Sequence, residues 1–166
     1  PSLTCLAATW DREMSALYGT SLGEEALYRE KDVLLGPGFN IARTPLCGRN
    51  FEYCSEDPIL TALMSAAYVS GMQSSGAGAC IKHFAANNQE YKRQNGDSRL
   101  DERTLREIYL APFEIAVKEG RPETVMAGRT IPRDQVRNAM TLTFAVLLAA
   151  FLAAVVLTHV EGLAFL

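Results

Sequence analysis

Residues 33–41 read Val-Leu-Leu-Gly-Pro-Gly-Phe-Asn-Ile, and residues 78–84 read Gly-Ala-Cys-Ile-Lys-His-Phe. Each holds a short apolar run, too brief for a helix, next to strong breakers. That is how a buried strand of a parallel sheet reads. Val33–Leu35 is ended by Gly36-Pro37-Gly38, and Cys80-Ile81 is the buried part of the second strand. The segment from Gly36 to Ser55 reads as a loop. Between the strands, Asp57-Pro58 opens a helix predicted to run to about Ser74, because Asp accepts bonds from first-turn amides and Pro loses nothing at the first helical position.

The same alternation continues outward. After a polar loop from Ala86 to Leu100, Asp101 caps a third helix, in which Leu105, Ile108, Tyr109, Phe113, Ala116 and Val117 recur at three and four residues. The acids at 101 and 102 lie where the helix dipole favours them, and Pro112 predicts a kink. Thr124–Ala127 reads as a further strand. Strands alternating with helices imply an α/β chain with a parallel sheet and helices outside it. Towards the amino end, Asp11 to Lys31 reads as one or two helices carrying Met14, Leu17, Tyr18, Ala26 and Leu27, interrupted near Gly19 and Gly23. Leu3–Ala8 reads as a buried strand in want of neighbours.

Composition bounds the possibilities. The 166 residues are 48% hydrophobic and 21% charged, which suits one core. A net charge of −3 supplies no basic field for a phosphate backbone, so nucleic acid is not an expected partner. Cys5, Cys47, Cys54 and Cys80 lack paired spacing and have only His83 and His159 for company, so neither a metal nor another cofactor is expected. Buried free thiols are the favoured reading, with a Cys47–Cys54 disulfide as the alternative. Pro1 to Trp10 shows no signal-peptide pattern.

Functional side chains of parallel α/β folds gather in loops after the carboxyl ends of strands. Arg49, Lys82, His83 and Arg93 fall there. Each also has a plainer reading. A lone His is commonly a satisfied structural residue, and Arg49 can organise its loop through an ion pair with Glu52. Asn87, Asn88 and Gln89 can serve as loop caps.

Four ordered motifs change that balance: Leu-Leu-Gly-Pro-Gly-Phe-Asn-Ile at 34–41, Cys-Gly-Arg-Asn-Phe-Glu-Tyr at 47–53, Lys-His-Phe-Ala-Ala-Asn-Asn-Gln-Glu at 82–90, and Asp-Glu-Arg-Thr-Leu-Arg-Glu-Ile-Tyr-Leu at 101–110. Together they resemble glycoside hydrolase family 3, β-glucosidase-like. The resemblance implies that residues 1–127 are part of a (β/α)8 barrel and that the parent enzyme hydrolyses O-glycosyl bonds at the non-reducing end of β-glucosides. It implies that Arg49, Lys82, His83 and Arg93 hold hydroxyls of the terminal sugar, and that a carbohydrate is the partner. Helix 101–110 is then architectural, its apolar stripe facing the barrel. The 34–38 segment is a turn whose glycines permit positive φ.

Retaining glycoside hydrolysis needs two carboxyl groups roughly 5 Å apart across the scissile bond. In the family the nucleophile is an aspartate later in the barrel, and the acid/base usually comes from a following domain. Neither has a matching position here. A further sugar-binding aspartate belongs upstream of Pro1, and the Tyr-Asn that normally follows near Thr124-Val125-Met126 is replaced by Ala127-Gly128-Arg129-Thr130. Among possible stand-ins, Glu56 and Asp101 sit at helix starts, while Glu90 and Asp97 suit loop hydrogen bonds. The expectation is a glycosidase fragment, without the remainder of its barrel and second domain, that keeps part of the sugar subsite and is inactive alone. Its open strand edges are expected to favour self-association.

Residues 128–138 form a divergent linker. Residues 139–160 then carry no formal charge and include the run Phe144–Leu157, an apolar helix long enough to cross a bilayer. Arg133 and Arg137 precede it and Glu161 follows, which would leave the sugar-binding segment cytoplasmic. The other readings are a buried helix over an unfinished barrel, or a tail read in a shifted frame after Met126. A genuine tail favours the alternative function, a non-catalytic sugar-binding or membrane-anchored protein.

Overall fold

The computed structural model describes residues 1–93 and 95–128, within a compact unit spanning Pro1–Ile131. The apolar segment 139–160 lies outside the described residues, as does the linker beyond Gly128. Among the described residues no helix is long and apolar enough to cross a membrane.

Among the described residues three parallel strands form the sheet: β1 (Val33–Leu34), β2 (Gly78–Phe84) and β3 (Thr124–Ala127), in the order β1-β2-β3. Val33 pairs with Gly78 and Leu34 with Ala79, while Cys80 pairs with Thr124 and Ile81 with Val125. The register slips between Ile81 and Phe84, before Phe84 meets Ala127. The central strand is β2, buried along almost its whole length, as its apolar run predicts. The α/β parallel-sheet expectation holds.

The α-helices among the described residues are α1 (Leu3–Ala7), α2 (Arg12–Tyr28), α3 (Pro58–Ser74), α4 (Glu102–Thr104) and α5 (Ala111–Glu119). The Asp57-Pro58 start is confirmed, with Asp57 Oδ1 accepting from the Leu60 amide at 2.6 Å. Asp101 likewise caps α4, accepting from the Thr104 amide at 2.9 Å.

The amino end differs from expectation. Leu3–Ala7 is a short helix, not a strand. Ser2 caps it at the Cys5 amide, so its backbone is satisfied locally and needs no strand neighbours. Thr4 ties it down by donating to the carbonyls of Asn50 and Tyr53, each at 2.9 Å.

Gly19 and Gly23 do not interrupt α2, which is one continuous helix. They belong to its buried seam, Ser15, Gly19, Gly23 and Ala26, pressed against α3. A methyl at Gly71 of α3 would fall on the carbonyl oxygen of Ala16, and one at Gly19 on that of Tyr68. Thr20 Oγ1 donates to the Gly71 carbonyl at 3.1 Å and Ser15 Oγ to that of Met64 at 2.7 Å, so hydroxyls cross-link the two helices where bulk is excluded.

The helical stretch that carries Pro112 is not a single α-helix. Residues Leu105–Leu110 wind as a π-helical turn, and Pro112 sits at the start of α5, where its missing N–H costs nothing. Behind it, Phe113 packs against Phe39 (ring centroids 5.4 Å apart) and Phe84 (5.1 Å), joining α5 to the sheet. The turn at 36–38 also departs from expectation. Among the described residues Gly76 is the glycine with positive φ, whereas Gly36–Pro37 is a cis peptide. What Gly38 supplies is room, since a Cβ there would meet the Tyr53 ring and the Glu52 carbonyl. The four cysteines are free, with Cys47, Cys54 and Cys80 buried and Cys5 exposed.

The α2–α3 seam makes a prediction. Gly71→Ala overpacks a backbone contact and should destabilise the chain by about 1–3 kcal/mol. Urea denaturation followed by circular dichroism measures this. An unchanged midpoint would show that the two helices part freely.

Candidate functional site

The site begins where β1 ends. Gly38 lies beside both Tyr53 and Lys82, the Phe39 amide donates to the Lys82 carbonyl at 2.6 Å, and the Lys82 amide donates to that of Pro37 at 3.2 Å. The Lys82–His83 and Phe84–Ala85 peptides are cis. These contacts hold the carboxyl end of β2, from which Lys82 and His83 project into the loop layer.

Two carboxylates organise the cations there. Glu52, on the 3-10 turn Asn50–Glu52, accepts from Lys82 Nζ at 2.8 Å and is hydrogen-bonded by Arg49 Nε. Glu90 accepts from Arg93 Nη1 at 3.0 Å and lies 4.0 Å from Arg49 Nη1. Arg49 therefore joins the 49–53 loop to the 86–93 loop. Burial tends to raise the Glu52 carboxyl, but hydrogen bonds and charge from Arg49 and Lys82 outweigh it and hold the group below its ordinary range.

The four side chains expected at the site come together. Arg49 and Lys82 share Glu52, Arg93 reaches the cluster through Glu90, and His83 joins it through neutral groups. Tyr53, wholly buried, places its hydroxyl 3.4 Å from His83 Nδ1 and accepts from Asn87 Nδ2 at 3.0 Å. Asn87 Nδ2 also donates to Glu90 Oε1 at 3.0 Å, closing the circuit. Burial pushes the Tyr53 phenol up to about 12, so it stays protonated.

Asn40 is the partner that the sequence did not single out. His83 N–H donates to Asn40 Oδ1 at 2.8 Å, Asn40 Nδ2 donates to the His83 carbonyl at 2.9 Å, and His83 Nδ1 lies 3.2 Å from the same Oδ1. Forty-three residues separate the pair, so no local pattern announces it. Glu52 and Glu90 were more accessible to reasoning, each standing three residues from an Arg it binds. The reading of Arg49 as a loop organiser is thus correct as far as it goes, whereas Asn87 bonds the side chains of Tyr53 and Glu90 rather than capping backbone groups. Asp97 instead pairs with Arg99 at the surface, 3.2 Å away.

His83 is 8% exposed, and burial, helped by the charges of Arg49 and Lys82, lowers its pKa to about 4. It is neutral at physiological pH. The cluster thus offers fixed cationic donors, two engaged carboxylates and one neutral imidazole at a strand end. That array suits a neutral ligand rich in hydroxyl groups, each of which both donates and accepts.

Fold and cluster together define an α/β segment with a polar strand-end site. Comparison with known proteins makes the assignment specific. The model of the glycosyl hydrolase family 3 N terminal domain matches residues 1–147, and the chain belongs to that family. It is 58% identical over 128 residues to thermostable beta-glucosidase B of Acetivibrio thermocellus, covering 77% of this chain and 17% of that protein. It is 55% identical over 128 residues to a beta-glucosidase of Bacteroides ovatus, with the same coverage of 77% and 17%. Among solved structures, beta-glucosidase 3B from Thermotoga neapolitana in complex with glucose superimposes with a TM-score of 0.77 and 53% identity, over 79% of this chain and 18% of that one. The chain therefore spans less than a fifth of the length of each of these three proteins.

The histidine yields a pH prediction. In the unfolded chain it takes up a proton near pH 6.5, and in the folded chain only near pH 4. Across that window the unfolded state binds more protons, so stability is full above about 6.5 and falls as pH drops towards 4. His83→Gln should remove this part of the slope. Urea midpoints of both proteins between these limits test it, and parallel curves would refute the assignment.

Proposed function

We propose that residues 1–127 are part of the (β/α)8 barrel of a β-glucosidase-like glycosidase, and that Arg49, Lys82, His83 and Arg93 hold the hydroxyls of its terminal, non-reducing sugar. The observation that carries this reading is the convergence of all four at the carboxyl end of β2, joined through Glu52, Glu90, Tyr53 and Asn87. Several convergent donors and acceptors are what sugar recognition requires, and an analogue lacking one hydroxyl leaves a site group unpaired.

Hydrolysis itself needs two carboxyl groups free to act as nucleophile and acid/base. The two acids in this cluster are already committed. Glu52 is bound by Lys82 and Arg49 and held below the ordinary carboxyl range, which disqualifies it as a general acid near neutrality. Glu90 is engaged by Arg93 and Asn87. Residues 1–127 thus supply substrate binding and positioning, while both catalytic carboxylates belong to parts of the enzyme outside this segment.

Exchanging residues 1–128 into beta-glucosidase 3B of Thermotoga neapolitana tests the proposal. The chimera should hydrolyse an aryl β-glucoside, whereas the 166-residue chain alone should not. Within the chimera Lys82→Ala should reduce kcat/KM by about 10–100-fold, the cost of losing one charged hydrogen bond. A folded but inactive chimera, or activity in the chain alone, would sink the reading. Unchanged kcat/KM in the Lys82 variant would dismiss the sugar assignment.

A further inference from the structure

Asn40 contacts His83 at three atoms, and the two on the backbone remove the usual ambiguity about how an amide is oriented. The His83 backbone N–H can only donate, so the atom 2.8 Å from it must be the Asn40 oxygen. The His83 carbonyl can only accept, so the atom 2.9 Å from it must be the Asn40 NH2. Asn40 Oδ1 is therefore fixed as an acceptor. It also faces His83 Nδ1 at 3.2 Å. If Nδ1 were bare, its lone pair would oppose an amide oxygen in a buried setting, where repulsion is poorly screened. If Nδ1 carries the proton, the contact becomes a hydrogen bond. The Tyr53 hydroxyl accepts from Asn87 and keeps its own proton to donate, but at 3.4 Å from Nδ1 it is the more distant neighbour and lies beyond the usual hydroxyl hydrogen-bond range.

We infer that Asn40 is a positioning residue that locks His83 as the Nδ1–H tautomer, so that Nε2 presents a lone pair and accepts a hydrogen bond from a substrate hydroxyl. The inference rests on the sugar-binding reading above and assigns it a direction. Lys82, next in the chain, can only donate. The Lys82–His83 pair is then one donor beside one acceptor, matched to a hydroxyl that accepts from the ammonium and donates to the imidazole. Among the described residues no protein group bonds Nε2, which leaves it for the ligand. The charged groups around the ring are Arg49 and Lys82, which disfavour its protonation, and Glu52 and Glu90, which favour it. Cations and burial prevail, so the acceptor state persists through neutrality.

The tautomer is directly observable. A long-range proton–nitrogen correlation spectrum of the 15N-histidine-labelled chain separates a protonated from a bare ring nitrogen. His83→Gln identifies which signals are its own. We expect a protonated Nδ1 and a bare Nε2 for His83 from pH 8 down to about pH 5, above the titration near 4. A protonated Nε2, or an even mixture, would overturn the inference. Asn40→Leu should abolish the preference, and a retained Nδ1–H form would remove Asn40 from its role. Should that variant fail to fold, Asn40→Asp keeps the acceptor, adds a charge, and should preserve Nδ1–H while raising the titration midpoint. An unmoved midpoint would again count against Asn40. Glucose added to the chain should shift Nε2 and leave Nδ1 nearly still. A correct tautomer with no Nε2 response would instead refute acceptance of a sugar hydroxyl on this chain and leave the tautomer lock standing.

Discussion

The pairing of the 37–40 turn with Lys82 and His83 is the contact on which the remaining site depends. β1 is only two residues long, and its ladder with β2 ends at Leu34 and Ala79. The turn then takes over the role of a strand. Pro37, Phe39 and Asn40 bond the backbone of Lys82 and His83, the last through its side chain. A buried strand end with unpaired amides and carbonyls would cost free energy at each group. Here those groups are satisfied by an irregular segment, so the backbone of the strand end makes no demand on the Lys82 and His83 side chains. Phe39 completes the arrangement from below, since its ring is locked by Phe113 while its amide holds Lys82.

Charge balance decides what the site can receive. Arg49, Lys82 and Arg93 face Glu52 and Glu90, so the cluster's charge is largely compensated from within. A free phosphate or carboxylate would have to compete with those two acids for the same donors. A neutral hydroxyl can add to the network without breaking it. Keeping His83 uncharged serves the same end, because a protonated ring beside Arg49 and Lys82 would add a fourth cation and remove an acceptor.

Much of this fold was legible because its signals are local. Gly78–Phe84, the Asp57-Pro58 start and the Asp101 cap were each identifiable from a handful of adjacent residues, and all three stand. The misreadings have separate causes. Leu3–Ala8 reads as a strand by composition, yet Leu3–Ala7 is a helix that Ser2 caps and Thr4 ties down. Gly19 and Gly23 look like breaks by propensity, but tertiary contact with α3 requires their smallness. The same division runs through the site. Arg49, Lys82, His83 and Arg93 stood out by residue type and loop position. Asn40 and Tyr53 did not, because their importance lies in partners 43 and 30 residues away.

A side chain can staple a loop and bind a ligand at once when it has donors to spare. Arg49 carries five N–H groups and Lys82 three. Among the described residues, Arg49 commits Nε to Glu52 and leans one Nη towards Glu90, at a separation too long for a hydrogen bond, while Lys82 gives Glu52 one donor. The majority of their donors stay available. The ion pairs fix where those donors point, so less of any ligand's binding energy would be consumed in ordering them. On this count the plain reading of Arg49, as an organiser of its loop, is a condition of the functional one rather than its rival.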